Sequence, residues 1–197
     1  MPARAQPIRG MTDPAAPRVR TLFTAEEIAG RVRTLAAEIA QSEPKNLLVV
    51  IVLKGGFVFG ADLVRALAGE GVRLEIEFIS LASYGTALET SGEVRIRRDI
   101  EVPVAGRDVL IVDDVLDSGL TLKFARDLMH QRGVRRAAIA VMINKPEGRR
   151  AQIEGDYVGF TCPNYFVVGY GMDAAHAWRE LPFVGVLESA PDEPDER

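Results

Sequence analysis

The sequence predicts an α/β fold with a parallel-sheet core and flanking helices. Two observations predict it. Residues 46–53, 108–112 and 136–144 are runs of branched apolar residues, the pattern of strands buried on both faces. Between such runs lie helical patterns of about ten residues, and strands alternating with helices of that length call for a parallel sheet with crossovers.

The elements follow in order. Thr24 with Glu27 forms a capping box ahead of an amphipathic helix that reaches about Gln41. Residues 46–53 are a buried strand. Residues 60–68 continue as a helix that ends near Gly69 and Gly71, and residues 73–80 alternate like a strand. Residues 108–112 form the next strand, residues 121–131 its helix, closed by Gly133. Another apolar strand covers 136–144, and 157–160 and 166–169 read as two short ones. Residues 82–98, ASYGTALETSGEVRIRR, fit no compact element. A loop of that length is either a surface hairpin or a lid that closes over a substrate. Residues 1–20, rich in Pro, Ala and Arg, and residues 190–197, dominated by Pro and acids, are expected to be flexible tails. That leaves 21–189 as a single domain.

Composition excludes several function classes. A chain of 197 residues suits one domain with a substantial core. A net charge of −4 argues against a general nucleic-acid coat, which would be strongly basic. The single cysteine, Cys162, has no partner for an internal disulfide, so a reducing compartment is expected. No apolar stretch reaches the roughly 18 residues of a membrane span. The first twenty residues lack the apolar core of a secretory signal. The expected location is cytoplasmic, with no membrane partner.

The most informative stretch is 109–122, VLIVDDVLDSGLTL. A buried strand is followed by two carboxylates, Asp113 and Asp114, then by the turn Asp117-Ser118-Gly119-Leu120-Thr121 at a helix start. Such a turn can aim backbone N–H groups and hydroxyls at a phosphate over the positive end of the helix dipole. It is not a Walker A loop, since it lacks the Gly-Lys-Ser/Thr ending. Two adjacent carboxylates repel unless a positive charge lies beside them. Hard oxygen donors at the ligand edge of a sheet suit Mg²⁺ better than zinc. The bland alternative is one Asp capping a turn and the other facing water.

Three further groups reach the same edge. Leu53-Lys54-Gly55-Gly56 follows a strand, and its glycines let backbone approach an anion while Lys54 neutralises it. The same four residues would also suit an ordinary strand-to-helix turn. Lys145 ends the strand 136–144, where it is either a ligand donor or a solvated charge. Phe166 precedes Val167, Gly169-Tyr170-Gly171-Met172-Asp173 and Arg179. An aromatic there can stack on a planar heterocycle, although core packing also suits Phe166. Arg179 offers a forked donor for phosphate. His130 and His176 have no metal-like spacing to each other or to Cys162, and no GxSxG or strand-following GxGxxG occurs.

Together these segments resemble the purine phosphoribosyltransferases, above all the members acting on hypoxanthine and guanine. The likeness runs from about residue 47 to 187. VLIVDDVLDSGLTL is similar to the family's phosphoribosyl-pyrophosphate (PRPP) motif and LKGGFVFGADL to its pyrophosphate loop. SYG resembles the start of the mobile lid. NKPEGRR resembles the purine-reading segment, and DYVGFTCPNYFVVGYGMD with WRELPFVGVL the base-binding and terminal segments. The resemblance implies the type I phosphoribosyltransferase fold, with a small hood formed by terminal segments. It implies transfer of the 5-phosphoribosyl group from PRPP to N9 of hypoxanthine or guanine, giving IMP or GMP and pyrophosphate. It also implies a homo-oligomer, a dimer or tetramer, with PRPP and a 6-oxopurine as partners.

The resemblance also assigns roles. Asp113 and Asp114 would hold the ribose 2′- and 3′-hydroxyls, partly through Mg²⁺. Asp117 would be the general base near purine N7, and Asp117, Ser118, Gly119, Leu120 and Thr121 would wrap the 5′-phosphate. Lys54 and Gly55 would bind pyrophosphate beside a cis peptide between Leu53 and Lys54, and Arg179 would touch pyrophosphate too. Lys145 would donate to O6, Phe166 would stack on the purine, and the Val167 carbonyl would face its 2-position. Asp173, beside the purine, would join a second Mg²⁺. Ser83 and Tyr84 would close as a lid. Two departures stand out: Leu120 and Tyr165 occupy positions where some relatives carry Lys. Two other readings stay open, a preference for xanthine or guanine over hypoxanthine and an RNA-binding regulator on the same fold. The latter needs a basic face, and the cluster Arg95, Arg97, Arg98, Arg149 and Arg150 is small.

Overall fold

A computed structural model of the chain describes residues 18–86 and 89–188, the side chains of 83–93 excepted. The elements run β1 (Arg18–Phe23), α1 (Ala25–Gln41), β2 (Leu47–Leu53), α2 (Phe57–Gly69), β3 (Leu74–Thr86) and β4 (Glu89–Arg98). They continue with β5 (Asp108–Leu116), α3 (Leu120–Gln131), β6 (Arg136–Asn144), β7 (Tyr157–Thr161), β8 (Val167–Val168) and β9 (Val184–Glu188). A six-stranded sheet has the order β4-β3-β2-β5-β6-β7, parallel throughout except for the β3–β4 pair. The expected parallel core is there.

The branched residues of β2 explain its central place. Alternate side chains of a strand point to opposite faces. Leu47, Val49 and Ile51 join a cluster with Ile28, Leu35 and Ile39 of α1 and Phe59, Leu63 and Leu67 of α2. Leu48, Val50 and Val52 join the opposite cluster with Leu122, Ala125 and Met129 of α3. A strand buried on both faces has no polar register to slip into. Phe59, fully buried, is the packing centre of α2, and Phe59→Ala would cost about 3–5 kcal/mol. The capping box starts α1 as expected. The Glu27 N–H donates to Thr24 Oγ1 at 3.2 Å and the Thr24 N–H to Glu27 Oε2 at 2.8 Å.

Several boundaries differ from expectation. The 82–98 segment, for which a hairpin is one of the two expectations, carries the antiparallel pairing of β3 and β4, with Ser80 opposite Arg98 and Thr86 opposite Glu89. Helix α2 begins at Phe57, three residues before the expected start, because the Lys54–Gly56 turn runs straight into it. Strand β5 passes through both aspartates to Leu116, held by pairing of Val115 with Ile143 and Leu116 with Asn144. Only Val167 and Val168 of 166–169 are strand, since Gly169 and Tyr170 turn with φ of 90° and 50°.

A second, three-stranded sheet, β1-β9-β8, sets the short strand at Val167–Val168 beside two strands, β1 and β9, that the sequence pattern does not predict. It joins both ends of the domain, with Arg18 opposite Glu188 and Val168 opposite Gly185. This is the hood of terminal segments. It takes residues 18–20, expected in the tail, into β1. The remainder of the expected tails, residues 1–17 and 190–197, lies outside the described residues.

Candidate active site

The ends of β2, β5 and β6 meet at one edge because their register is fixed. Ile51 pairs with Val112, Asp113 with Val141, and Leu116 with Asn144. The turn Lys54-Gly55-Gly56 therefore lies beside Asp113 and Asp114, and the Leu53–Lys54 peptide is cis. Contact between the two is close. A Cβ at Gly55 would stand 1.8 Å from Asp114 Oδ2, and one at Gly56 3.0 Å from the Asp113 Cα. The backbone of the turn is thus laid against the carboxylates with no room for a side chain.

Asp113 is buried, Asp114 partly so. Asp113 Oδ1 accepts the Asp114 N–H and Asp114 Oδ1 accepts the Val115 N–H, both at 2.9 Å. Burial pushes the Asp113 carboxyl well above the ordinary range, and the neighbouring Asp114 charge pushes it further. Burial also raises Asp114, against the opposing pull of its hydrogen bonds and of Arg179. Two buried oxygen-donor groups whose joint ionisation is disfavoured call for a cation or hydroxyl donors alongside. That donor set fits Mg²⁺ held by one or two carboxylates and completed by substrate oxygens. Among the described residues no three His, Cys, Asp or Glu side chains group to cage an ion by themselves.

The turn after β5 is a phosphate cradle in form. Gly119 caps α3 with φ 79° and offers no capping side chain, while the Leu120 N–H donates to Ser118 Oγ at 3.5 Å. The other first-turn N–H groups face outward at the positive end of the helix. Gly119 is required twice over, by its left-handed φ and because a Cβ would stand 2.5 Å from Ile153. The Ser118 carbonyl accepts N–H groups of Arg150 and Ala151, each at 2.9 Å. Leu120 packs on the apolar cluster beneath α3. Leu120 thus adds no side-chain donor to this turn.

Lys145 follows β6 and is only 6% exposed. Its Nζ lies 3.9 Å from Asp117 Oδ2, while Asp117 stays half-exposed. Of the two readings of Lys145, the solvated charge does not fit this burial. Gly148 lies under the same carboxylate, since a Cβ there would stand 1.8 Å from Asp117 Oδ1. Cys162 is buried nearby. Burial raises its thiol, and the charge of Lys145 works against that rise.

The hood closes the edge from above. Phe166 is 60% exposed, so it does not serve core packing, and Val167 is buried in β8. Asp173 Oδ1 pairs with Arg179 Nη2 at 2.5 Å, and Arg179 Nη1 donates to the Gly171 carbonyl at 2.5 Å. A Cβ at Gly171 would stand 2.3 Å from the Gly55 carbonyl oxygen, so this loop rests directly on the Lys54–Gly56 turn. A cavity of about 510 Å³ is lined by Leu53, Lys54, Phe57, Phe78, Arg98 and Arg179. Ser83 and Tyr84 lie in β3 by backbone, but their side chains are outside the described residues.

The structure thus brings together Lys54, Gly55, Asp113, Asp114 and Arg179, and separately Asp117 with Lys145. Asp173 is tied to Arg179 and not grouped with the acid pair. Three neighbours escaped sequence reasoning as site residues: Gly148, Arg149 and Arg98. NKPEGRR carried the signal for the first two, a glycine and an arginine three and four residues past the key lysine.

Comparison with known proteins gives a consistent picture. Residues 19–175 match the phosphoribosyl transferase domain. The chain is 41% identical over 169 residues to the hypoxanthine-guanine phosphoribosyltransferase of Dictyostelium discoideum, covering 85% of this chain and 94% of that one. It is 41% identical over 172 residues to the Bacillus subtilis protein of the same name, covering 87% and 94%. A solved hypoxanthine phosphoribosyltransferase from Staphylococcus aureus superposes with a TM-score of 0.81 at 36% identity, covering 86% of this chain and 91% of that one.

Proposed function

The chain belongs to the phosphoribosyl transferase family, and from that we infer its work in purine salvage. It is a hypoxanthine-guanine phosphoribosyltransferase, moving the 5-phosphoribosyl group of PRPP to purine N9 and releasing pyrophosphate. The observation that carries the reading is the pairing of buried Lys145 with Asp117 at 3.9 Å. A 6-oxopurine presents an acceptor, O6, next to the ring nitrogen N7. A cation and a carboxylate side by side complement that edge.

The labour divides as follows. The bond from C1′ to the pyrophosphate oxygen breaks, and its electrons leave with pyrophosphate. The N9 lone pair bonds to C1′ of the oxocarbenium-like centre. Asp117 takes the proton that the base gives up at N7, and Lys145 donates to O6. Asp113 and Asp114 accept the ribose hydroxyls. Backbone donors from Asp117 to Thr121, with the Ser118 and Thr121 hydroxyls, hold the 5′-phosphate. Lys54 and Arg179 place positive charge where the leaving group gains its own. Mg²⁺ would be held by Asp113 and Asp114, with a second ion at Asp173, and would supply further positive charge to the leaving pyrophosphate. Phe166 stacks on the base, the Val167 carbonyl faces its 2-position, and Ser83 and Tyr84 close the hairpin to exclude water.

A panel of hypoxanthine, guanine, xanthine and adenine with PRPP and Mg²⁺, followed by pyrophosphate release, tests this. Turnover of the 6-oxopurines and not of adenine is expected, and no turnover of any base would sink it. An RNA-binding role loses ground because Arg149, one of the few clustered arginines, is engaged with Asp117 and Asn144. We further read the chain as a cytoplasmic homo-oligomer. Phe57, Ile76 and Phe78 remain 37–44% exposed, apolar surface that a second copy would cover. Sedimentation would show a single subunit mass if that is mistaken. No helix of the described residues is long and apolar enough to cross a membrane.

A further inference from the structure

The structure assigns Arg149 as a positioning residue that holds Asp117 in place for its proton transfer, an inference resting on Asp117 being the base. Arg149 Nη1 donates to the Asp117 carbonyl oxygen at 3.0 Å, and Nη2 donates to Asn144 Oδ1 at 2.5 Å. Asn144 is the last residue of β6 and directly precedes Lys145. One planar head therefore spans the two strand ends that supply the O6 donor and the N7 base. A planar guanidinium fixes two acceptors at a set angle, which an ammonium does not.

Three further observations make this a clamp around Asp117. Gly148 lies against Asp117 Oδ1, and Lys145 Nζ against Oδ2. The N–H groups of Arg150 and Ala151 hold the Ser118 carbonyl, one residue further on. Arg149 Nε is buried with no hydrogen-bond partner. A side chain present only for surface charge would turn that head to water and satisfy every donor. Here one donor is left unmet while the two Nη groups keep their acceptors.

The segment 145–151 thus sets the Asp117 main chain from one side and its carboxylate from the other. Small displacements of a catalytic group are expensive in rate. The consequence is a kcat effect that depends on how readily the base loses its own proton.

The test compares kcat for hypoxanthine with kcat for an 8-aza-6-oxopurine, a more acidic base, with PRPP and Mg²⁺. Arg149→Met should lower kcat on hypoxanthine by about 100-fold. The purine KM should move by less than about 3-fold, and the loss on the acidic base should be much smaller. Arg149→Lys, which can still reach one acceptor, should recover part of the loss and serves alone if Arg149→Met does not fold. The double variant Arg149→Met with Asp117→Asn should be no slower than Asp117→Asn alone. Equal losses on both bases, or losses that multiply in the double variant, would overturn the positioning role while leaving Asp117 as base. Wild-type turnover in Asp117→Asn would overturn both.

Discussion

The carboxylate of Asp114 lies directly over the backbone of Gly55, so close that a methyl group on residue 55 would stand 1.8 Å from Oδ2 and 2.3 Å from Cγ. The turn after β2 and the acid pair of β5 are therefore one surface. Gly55→Ala must displace either the carboxylate or the turn. The expected result is a fall in kcat/KM for PRPP of about 100-fold, with a smaller change in the purine KM. Steady-state kinetics with each substrate varied in turn would check it. Unchanged PRPP use would mean that pyrophosphate does not lie on this turn.

Asp117→Asn keeps the shape of the side chain but replaces a proton acceptor by an amide. General-base contributions are typically about 100- to 10,000-fold, so kcat should drop within that range. The side chain is 47% exposed, so the melting temperature should hold. A large fall in melting temperature would show instead that Asp117 is structural, and the kinetic loss would then say nothing of proton transfer.

How much of this was legible in the sequence follows from the range of each interaction. Strands β2, β5 and β6 were readable because burial on both faces leaves an unbroken apolar run in the chain itself. The capping box of Thr24 and Glu27 and the Asp117–Thr121 cradle are local, so they too were written in order. Strands β1 and β9 were not. RVRTLF is partly exposed and charged, and its partner lies 170 residues away, from Arg18 to Glu188. The acid pair was read as following its strand, because nothing local shows that Val115 and Leu116 pair with β6. The packing of Gly148 beneath Asp117 and the clamp of Arg149 are likewise contacts across about thirty residues. A composition rule sees only a glycine and one more arginine there.

The buried acid pair makes a pH prediction for the protein kept free of Mg²⁺ with a chelator. Folding raises the Asp113 and Asp114 carboxyls above the usual value of 3.8. The folded state then binds more protons than the unfolded chain in that window. Their contribution is fully present below about 3.8 and is lost as pH rises through the raised native values, so the pair destabilises the metal-free protein at neutral pH. Asp113→Asn should therefore melt higher than the wild type near pH 7, by about 2–4 °C for each kcal/mol relieved. The difference between the two melting curves should shrink as pH falls. The same variant should lose PRPP binding. A neutral-pH melting temperature below that of the wild type would contradict the burial effect.

Lys145→Ala separates recognition of the base from binding of PRPP. Lys145 is 6% exposed and the anion paired with it, Asp117, is half in solvent. Its burial is thus poorly repaid within the protein and is best matched by a carbonyl oxygen from a ligand. A hydrogen bond from a charged donor is worth about 1.5–3 kcal/mol, so kcat/KM for hypoxanthine should fall about 10- to 100-fold. The KM for PRPP should stay near its wild-type value, because Lys145 lies on the base side of Asp117. Adenine carries an amino group at the 6-position, which meets the ammonium donor to donor. Removing Lys145 should accordingly narrow the preference for hypoxanthine over adenine from both directions. Equal losses for purine and PRPP, with that preference intact, would place Lys145 outside the purine contact.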